Sequence, residues 1–131
     1  MSAPASTGLS ALVLAPWGRD GQVARMILAE AGIEARTCED LPTCTSRLDD
    51  DVTFLMLAEE AVRNADLRTL SGWLHRQPTW SDLPVLLLTR RGGGIERNPD
   101  AARWSKLLGN VSFIERPFHP TTFISVARSA M

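Results

Sequence analysis

The sequence predicts an α/β fold of three layers, in which a five-stranded parallel sheet lies between helices. Short apolar segments alternate with segments of helical periodicity, and such alternation is typical of parallel strands joined by helical crossovers. Two of the short segments, 52–57 and 85–89, are largely apolar, as expected for strands covered on both faces. With 131 residues, 44% of them apolar, the chain has the size of one domain with a substantial core.

Each predicted element follows from its pattern of apolar residues and from the residues that bound it. Gly32 ends the first helix, and Pro120 opens the last one with His119 at its cap position. The predicted strands cover residues 12–14, 33–38, 52–57, 85–89 and 111–115, and the predicted helices cover 19–31, 41–48, 64–77, 98–108 and 120 onward. The inward stripe of the first helix is predicted to contain Val23, Met26, Ile27 and Ala31.

This succession of strands and helices favours the flavodoxin-like strand order 2-1-3-4-5, with right-handed crossovers and helices on both sheet faces. Ligands of such sheets bind at the carboxyl ends of the strands. The positions expected to form a site are therefore Ala15-Pro16, residues 57–60, Thr89-Arg90 and Glu115-Arg116.

The composition argues against several classes of function. A net charge of −1 gives no electrostatic basis for binding nucleic acid or an anionic membrane. The longest apolar runs are much shorter than the roughly 20 residues of a membrane-spanning helix. Cys38 and Cys44 do not make a disulfide framework, so free thiols and a cytoplasmic setting are expected. We predict no cofactor, no metal and no enzymatic activity, because no catalytic or metal-binding motif is recognisable.

Two stretches near the end of the chain resemble a known family. Residues 81–84 read Ser-Asp-Leu-Pro before a strand that ends in Thr89, and the last strand contains Phe113 and precedes Arg116-Pro117-Phe118. These motifs resemble the response-regulator receiver domain of two-component signalling, and the likeness covers most of the chain. The resemblance implies that Thr89 donates its hydroxyl to an aspartyl phosphate, that Phe113 is the switch aromatic and that Arg116 replaces a lysine.

The carboxylates of the family pattern are missing. Receivers hold Mg²⁺ with two acids at the end of the first strand, where this chain has Ala15-Pro16. They accept phosphate on an aspartate at the end of the third strand, where the register leaves Met56, Ala58 or Glu59. Glu59 is predicted either to enter the pocket as a permanent charge or to serve, with Glu60, as a first-turn acid of the next helix.

The charged residues around the site also depart from the family pattern. Arg116 keeps a cation but has planar, forked geometry, and its pairing with Glu59 or Glu115 is favoured over phosphate binding. Arg90 is expected to crowd the entrance to the site. Asp20 is predicted to cap the first helix rather than to hold a metal.

These departures imply a pseudo-receiver, a domain that relays signals through protein contacts without being phosphorylated. The expected partner is a histidine kinase or an attached output domain, and an isologous homodimer is the default if the chain associates. Trp104 and Phe123 are candidate interface residues, with core packing as the alternative. Residues 1–8 are predicted to be a disordered lead-in, and residues 9–131 a receiver-like domain excised from or attached to a larger signalling protein.

A rival prediction rests on the loop of Arg90, Arg91, Gly92, Gly93 and Gly94. Glycines let backbone N–H groups approach an anion, and the two arginines add positive charge. The loop lies between a strand and a helix, which suits phosphate, but it matches neither a Walker A loop nor a dinucleotide fingerprint. The alternatives are a module that binds a small ligand or nucleotide, and a mobile connecting loop.

Overall fold

The computed structural model describes residues 10–16, 18–49, 51–63, 65–76, 83–89, 100–116 and 119–130. Within these ranges, strands alternate with helices along the chain. The strands are β1 (Ser10–Leu14), β2 (Ala35–Cys38), β3 (Val52–Ala58), β4 (Val85–Thr89) and β5 (Val111–Glu115). The helices are α1 (Asp20–Glu30), α2 (Leu41–Ser46), α3 (Glu59–Val62), α4 (Arg68–His75), α5 (Ala101–Leu108) and α6 (Pro120–Ala130).

The strands form one parallel sheet in the order β2-β1-β3-β4-β5, which confirms the predicted topology. The register sets Ala58 beside Leu88 and Thr89 beside Glu115. Because parallel strands end at the same edge of a sheet, the last residues of β3, β4 and β5 lie close together there. The predicted site positions that the structure describes therefore share one edge of the sheet.

The sheet separates two apolar cores. In β3, Leu55 and Leu57 point into one core while Phe54 and Met56 point into the other, because successive side chains of a strand lie on opposite faces. Helices α2 to α5 cover the first core, and α1 and α6 cover the second, so the three predicted layers are present. Among the helices in the described ranges, none has the length and apolarity needed to cross a membrane.

Helix α1 is rotated relative to the prediction. Val23 and Met26, predicted to face inward, are 39% and 62% exposed. The helix instead lies closest to the chain just after β1 at its smallest residue: a Cβ atom on Gly21 would lie 3.1 Å from the carbonyl oxygen of Ala15. Close packing at this point decides which side of the helix is buried. The buried residues of α1 are Gly21, Ala24 and Leu28.

The helical segments also differ from the prediction in their bounds. The predicted helix 64–77 begins at Arg68, and the separate single turn of α3 precedes it. Helix α2 ends at Ser46, two residues before the predicted end. Helix α5 begins at Ala101, and the predicted start at residues 98–99 lies outside the described residues.

Trp104 and Phe123 are core residues, which agrees with the core-packing alternative and not with the interface one. Both side chains are 0% exposed. Trp104 packs into the core beneath α5, and Phe123 packs into the core beneath α6. Large aromatic side chains bury much apolar area, and here the sheet rather than a partner covers them.

Candidate functional site

The carboxyl ends of β1 and β3 carry no acidic side chain. Strand β1 ends at Leu14 and is followed by Ala15-Pro16, while β3 ends at Ala58. Met56 lies two residues inside the strand, fully buried in the core shared with α1 and α6, so Ala58 is the residue at the strand's end. Glu59, the third alternative for this position, is the first residue of α3.

Thr89 ends β4 and is buried within the sheet. Its side chain is 0% exposed, and its hydroxyl donates to the carbonyl oxygen of Ile114 over 3.5 Å, a long and therefore weak hydrogen bond. Its own carbonyl accepts a 2.9 Å hydrogen bond from the backbone N–H of Arg116. These bonds hold the end of β4 against β5 and bring Arg116 to the edge of the sheet.

Arg116 joins two carboxylates at this edge. Its Nη1 and Nη2 atoms donate to the two carboxylate oxygens of Glu60 over 2.8 and 2.9 Å, and its Nε atom donates to Oδ2 of Asp20 over 2.8 Å. The paired bonds to Glu60 have the forked geometry that arginine, unlike lysine, can form with one carboxylate. We call Asp20, Arg116 and Glu60 the arginine clamp.

The clamp corrects two predictions. Arg116 was expected to pair with Glu59 or Glu115, but its side-chain ion pairs are with Glu60 and Asp20. Asp20 was expected to cap α1, but the N-cap residue is Arg19. The side chain of Arg19 makes no capping hydrogen bond. Asp20 instead occupies the first turn of α1, where a carboxylate is favourable, and uses its side chain to bind Arg116.

The charges of the clamp reinforce one another. Burial raises the pKa of Glu60, but hydrogen bonding to Arg116 and the charge of Arg116 lower it by more, so the pKa lies below its usual value. Burial lowers the pKa of Arg116, but its hydrogen bonds to Glu60 and Asp20 raise it by more. Both shifts favour the charged forms, so the clamp is an ion pair at neutral pH.

Glu59 is a buried acid that links two helices on one face of the sheet. It is only 2% exposed, and its Oε2 atom accepts a 3.0 Å hydrogen bond from the indole N–H of Trp104. Its Oε1 atom forms a 3.0 Å ion pair with Arg63, one turn further along the chain. Glu59 is a first-turn acid of α3, as one alternative held, but it also connects that turn to α5 on the same face of the sheet.

The remaining site predictions have mixed outcomes. Phe113 is half-buried and packs against the core that contains Trp104. The loop of Arg90, Arg91, Gly92, Gly93 and Gly94 lies outside the described residues, and so do Pro117 and Phe118. The sequence predicted Glu60 only as a first-turn acid, and its forked pair with Arg116 was missed.

The structure is similar to solved receiver domains. The receiver domain of NtrX from Brucella abortus is 27% identical over 92% of this chain and 97% of its own length, with a TM-score of 0.71. The chemotaxis protein CheY4 from Vibrio cholerae is 15% identical over 94% of this chain and 98% of its own, with a TM-score of 0.72, and this likeness concerns the fold alone. The chain has the receiver-domain fold.

The chain also matches one part of a longer protein. The NtrX protein from Brucella abortus in complex with ATP is 25% identical over 94% of this chain, with a TM-score of 0.71, but this chain spans only 27% of that protein. No family model matches the sequence, and no curated protein matches it.

The side chains at the edge of this receiver fold do not suit the Mg²⁺ that the family's phosphorylation chemistry uses. Mg²⁺ requires hard oxygen ligands in octahedral geometry, usually including carboxylates. Ala15 and Pro16 offer no side-chain oxygen, while Asp20 and Glu60 bind Arg116. In the part of the chain that the structure describes, no group of three or more potential metal-ligating side chains is found.

Proposed function

We propose that this chain is a regulatory domain of signal transduction that uses the receiver fold without phosphorylation and acts through protein–protein contacts. It lacks the phosphoacceptor aspartate and the Mg²⁺-binding acids of the family, and it is not an enzyme. Its partner is a histidine kinase or an output domain, in the same polypeptide or in another, and its setting is the cytoplasm. The receiver fold of the structural neighbours supports the general part of this proposal, a regulatory domain.

The observation that carries the proposal is the arginine clamp. The resemblance to receivers implies that the cation after β5 lies beside the phosphoacceptor position, for which we take Ala58, the last residue of β3. An alanine at that position offers only a methyl group, which is no nucleophile and cannot form an acyl phosphate. The cation is already neutralised by Glu60 and Asp20, so an incoming phosphoryl group would have to displace two carboxylates.

Regulation without phosphate requires a different way to connect the site to the surface. The hydrogen bond between Glu59 and Trp104 joins α3, directly after the end of β3, to α5. The clamp joins the first turns of α1 and α3 to the end of β5. A partner that displaces any one of these elements would strain bonds to the others, which gives protein contacts a route to the site.

Incubation with acetyl phosphate and Mg²⁺, followed by intact-mass spectrometry, tests the absence of phosphorylation. We expect an unchanged mass, while a receiver domain with the full set of acids, treated in parallel, gains one phosphoryl group. A phosphoryl adduct on this chain that hydroxylamine removes would identify an acyl phosphate and refute the proposal.

Light scattering after gel filtration tests the expected homodimer. A mass that rises from one to two chains with concentration would support self-association. Since Trp104 and Phe123 are buried, their replacement would not be a clean test of the interface, and surface residues of α1 such as Met26 are better probes. A monomer at every concentration would leave the kinase or output domain as the partner.

A further inference from the structure

Two cysteines lie together at the outer edge of the sheet. Cys38 is the last residue of β2, the edge strand, and Cys44 lies in α2, six residues further along the chain. Both thiols are free, and the residues are 5% and 1% exposed. They belong to the same apolar core cluster, and a hydrogen bond between their side chains brings the two thiols together.

A cation stands beside one of these sulfurs. The Nη1 atom of Arg47 lies 3.9 Å from the Sγ atom of Cys38 and donates a 3.3 Å hydrogen bond to the carbonyl oxygen of Thr37. Arg47 is exposed, so this contact lies where the core meets the solvent. On this side, the Cys38 sulfur is covered by a surface side chain that can move aside.

The contact between the thiols shifts their pKa values in opposite directions. Hydrogen bonding to Cys44 lowers the pKa of Cys38 to about 7, against the opposing effect of burial, and the charge of Arg47 lowers it further. Hydrogen bonding to Cys38 and burial both raise the pKa of Cys44. Because the thiolate is the reactive form of cysteine, Cys38 has the character of an attacking sulfur and Cys44 that of a resolving one.

The turn between the cysteines is held by its own hydrogen bond. Asp40 is the N-cap residue of α2, and its Oδ1 atom accepts a 2.8 Å hydrogen bond from the backbone N–H of Thr43. This bond orders the chain between the two sulfurs before any reaction takes place. Preorganisation of this kind favours reaction within the chain over reaction between chains.

We propose that Cys38 and Cys44 form a redox-active dithiol, which a peroxide converts into an intramolecular disulfide. The Cys38 thiolate attacks one oxygen of hydrogen peroxide, an S–O bond forms, and the O–O bond breaks to release hydroxide, which takes up a proton to become water. The Cys44 sulfur then attacks the Cys38 sulfenic acid, loses its proton and releases a second water. The two sulfurs together lose two electrons, which reduce one peroxide to two waters. This site is separate from the arginine clamp and does not depend on the proposed function.

The test uses the whole folded chain. The protein is treated with a small excess of hydrogen peroxide, quenched with catalase, unfolded, alkylated with N-ethylmaleimide and weighed by mass spectrometry. We expect the loss of two hydrogen atoms, no alkylation, a cross-linked peptide that contains both cysteines, and full reversal by dithiothreitol. Two alkylated thiols after treatment of the folded chain, or oxidation only in urea, would overturn the proposal, since the thiols would then be inert core residues.

Two single substitutions identify the role of each sulfur. In Cys44→Ser, peroxide should leave a sulfenic acid on Cys38 that dimedone traps, because the resolving thiol is gone. In Cys38→Ser, Cys44 should remain unmodified over the same period. Equal dimedone labelling of the two variants would refute the assignment of roles. Circular dichroism checks that both variants are folded, and the experiment on the unaltered chain decides the disulfide if either one is not.

Discussion

Glu59 and Glu60 are neighbours in the first turn of α3, and the fold uses them in opposite ways. Glu59 is 2% exposed and accepts a hydrogen bond from Trp104 inside the core. Glu60 has a side chain that is 43% exposed and forms a forked pair with Arg116 at the sheet edge. The difference arises because consecutive residues of a helix point about 100° apart, so one carboxylate turns towards the core and the other towards the edge.

This comparison shows that burial, more than charge, decides what a carboxylate contributes to stability. A buried polar group that loses its partner carries the full cost of desolvation, while an exposed ion pair contributes little because water screens it. Glu59 should therefore matter mainly for the stability of the fold. Glu60 should matter mainly for the local geometry of the site. The four predictions below test this division.

The largest loss of stability is expected at Trp104, the buried donor of the hydrogen bond to Glu59. Trp104→Ala removes a fully buried indole and should lower the free energy of unfolding by about 3–5 kcal/mol. Urea denaturation followed by circular dichroism measures the change. Trp104→Phe keeps an aromatic ring without the N–H donor and should cost less. If the two variants were equally unstable, the hydrogen bond rather than the packing would dominate.

A smaller loss is expected at Glu59 itself. Glu59→Ala leaves the indole N–H of Trp104 without its acceptor and should lower the free energy of unfolding by about 1–3 kcal/mol. Glu59→Gln keeps a side-chain oxygen that can accept the same bond, so its loss should be smaller. The matched control is Glu60→Ala, which we expect to cost less than Glu59→Ala. A larger loss of stability in Glu60→Ala than in Glu59→Ala would contradict the division between the core and the sheet edge.

Removal of the clamp should have a modest effect on stability. Arg116→Ala breaks both ion pairs and should lower the free energy of unfolding by about 1 kcal/mol at low salt, with a smaller loss in about 1 M NaCl. Arg68→Ala breaks the exposed pair with Asp66 and serves as the control, for which no measurable change is expected. A loss that is independent of salt would indicate that Arg116 stabilises through packing instead.

The smallest effect is a dependence on pH. The pKa of Glu60 lies below its usual value of 4.5 because Arg116 outweighs the effect of burial. A carboxyl group of this kind stabilises the folded chain above its unfolded pKa, and the contribution is lost as the pH falls through the folded pKa. Between about pH 5 and pH 3, the unaltered chain should therefore lose more stability than Arg116→Gln. Parallel pH profiles would show that the clamp does not lower the pKa of Glu60.

Much of the fold could be predicted from the sequence because its signals are local. The strands at 85–89 and 111–115 were predicted with their observed bounds, since apolar runs bounded by proline, glycine and charged residues leave few alternatives. The stripe of α1 was predicted only in part: Ile27 and Ala31 pack against the core, whereas Val23 and Met26 are exposed and the small Gly21 is buried. Small residues carry a weak hydrophobic signal, yet they decide where a helix can approach a sheet closely.

The candidate site divides in the same way. The sequence by itself determined the order of the strands, the edge at which their ends meet, and the absence of acids at Ala15-Pro16 and Ala58. Only the tertiary structure decided that Arg116 binds Glu60 and Asp20, and that Glu59 binds Trp104, which is 45 residues away. Strand order follows from patterns along the chain, whereas the choice among neighbouring carboxylates depends on the angle at which α3 leaves β3. That angle is set by packing between residues that are far apart in sequence.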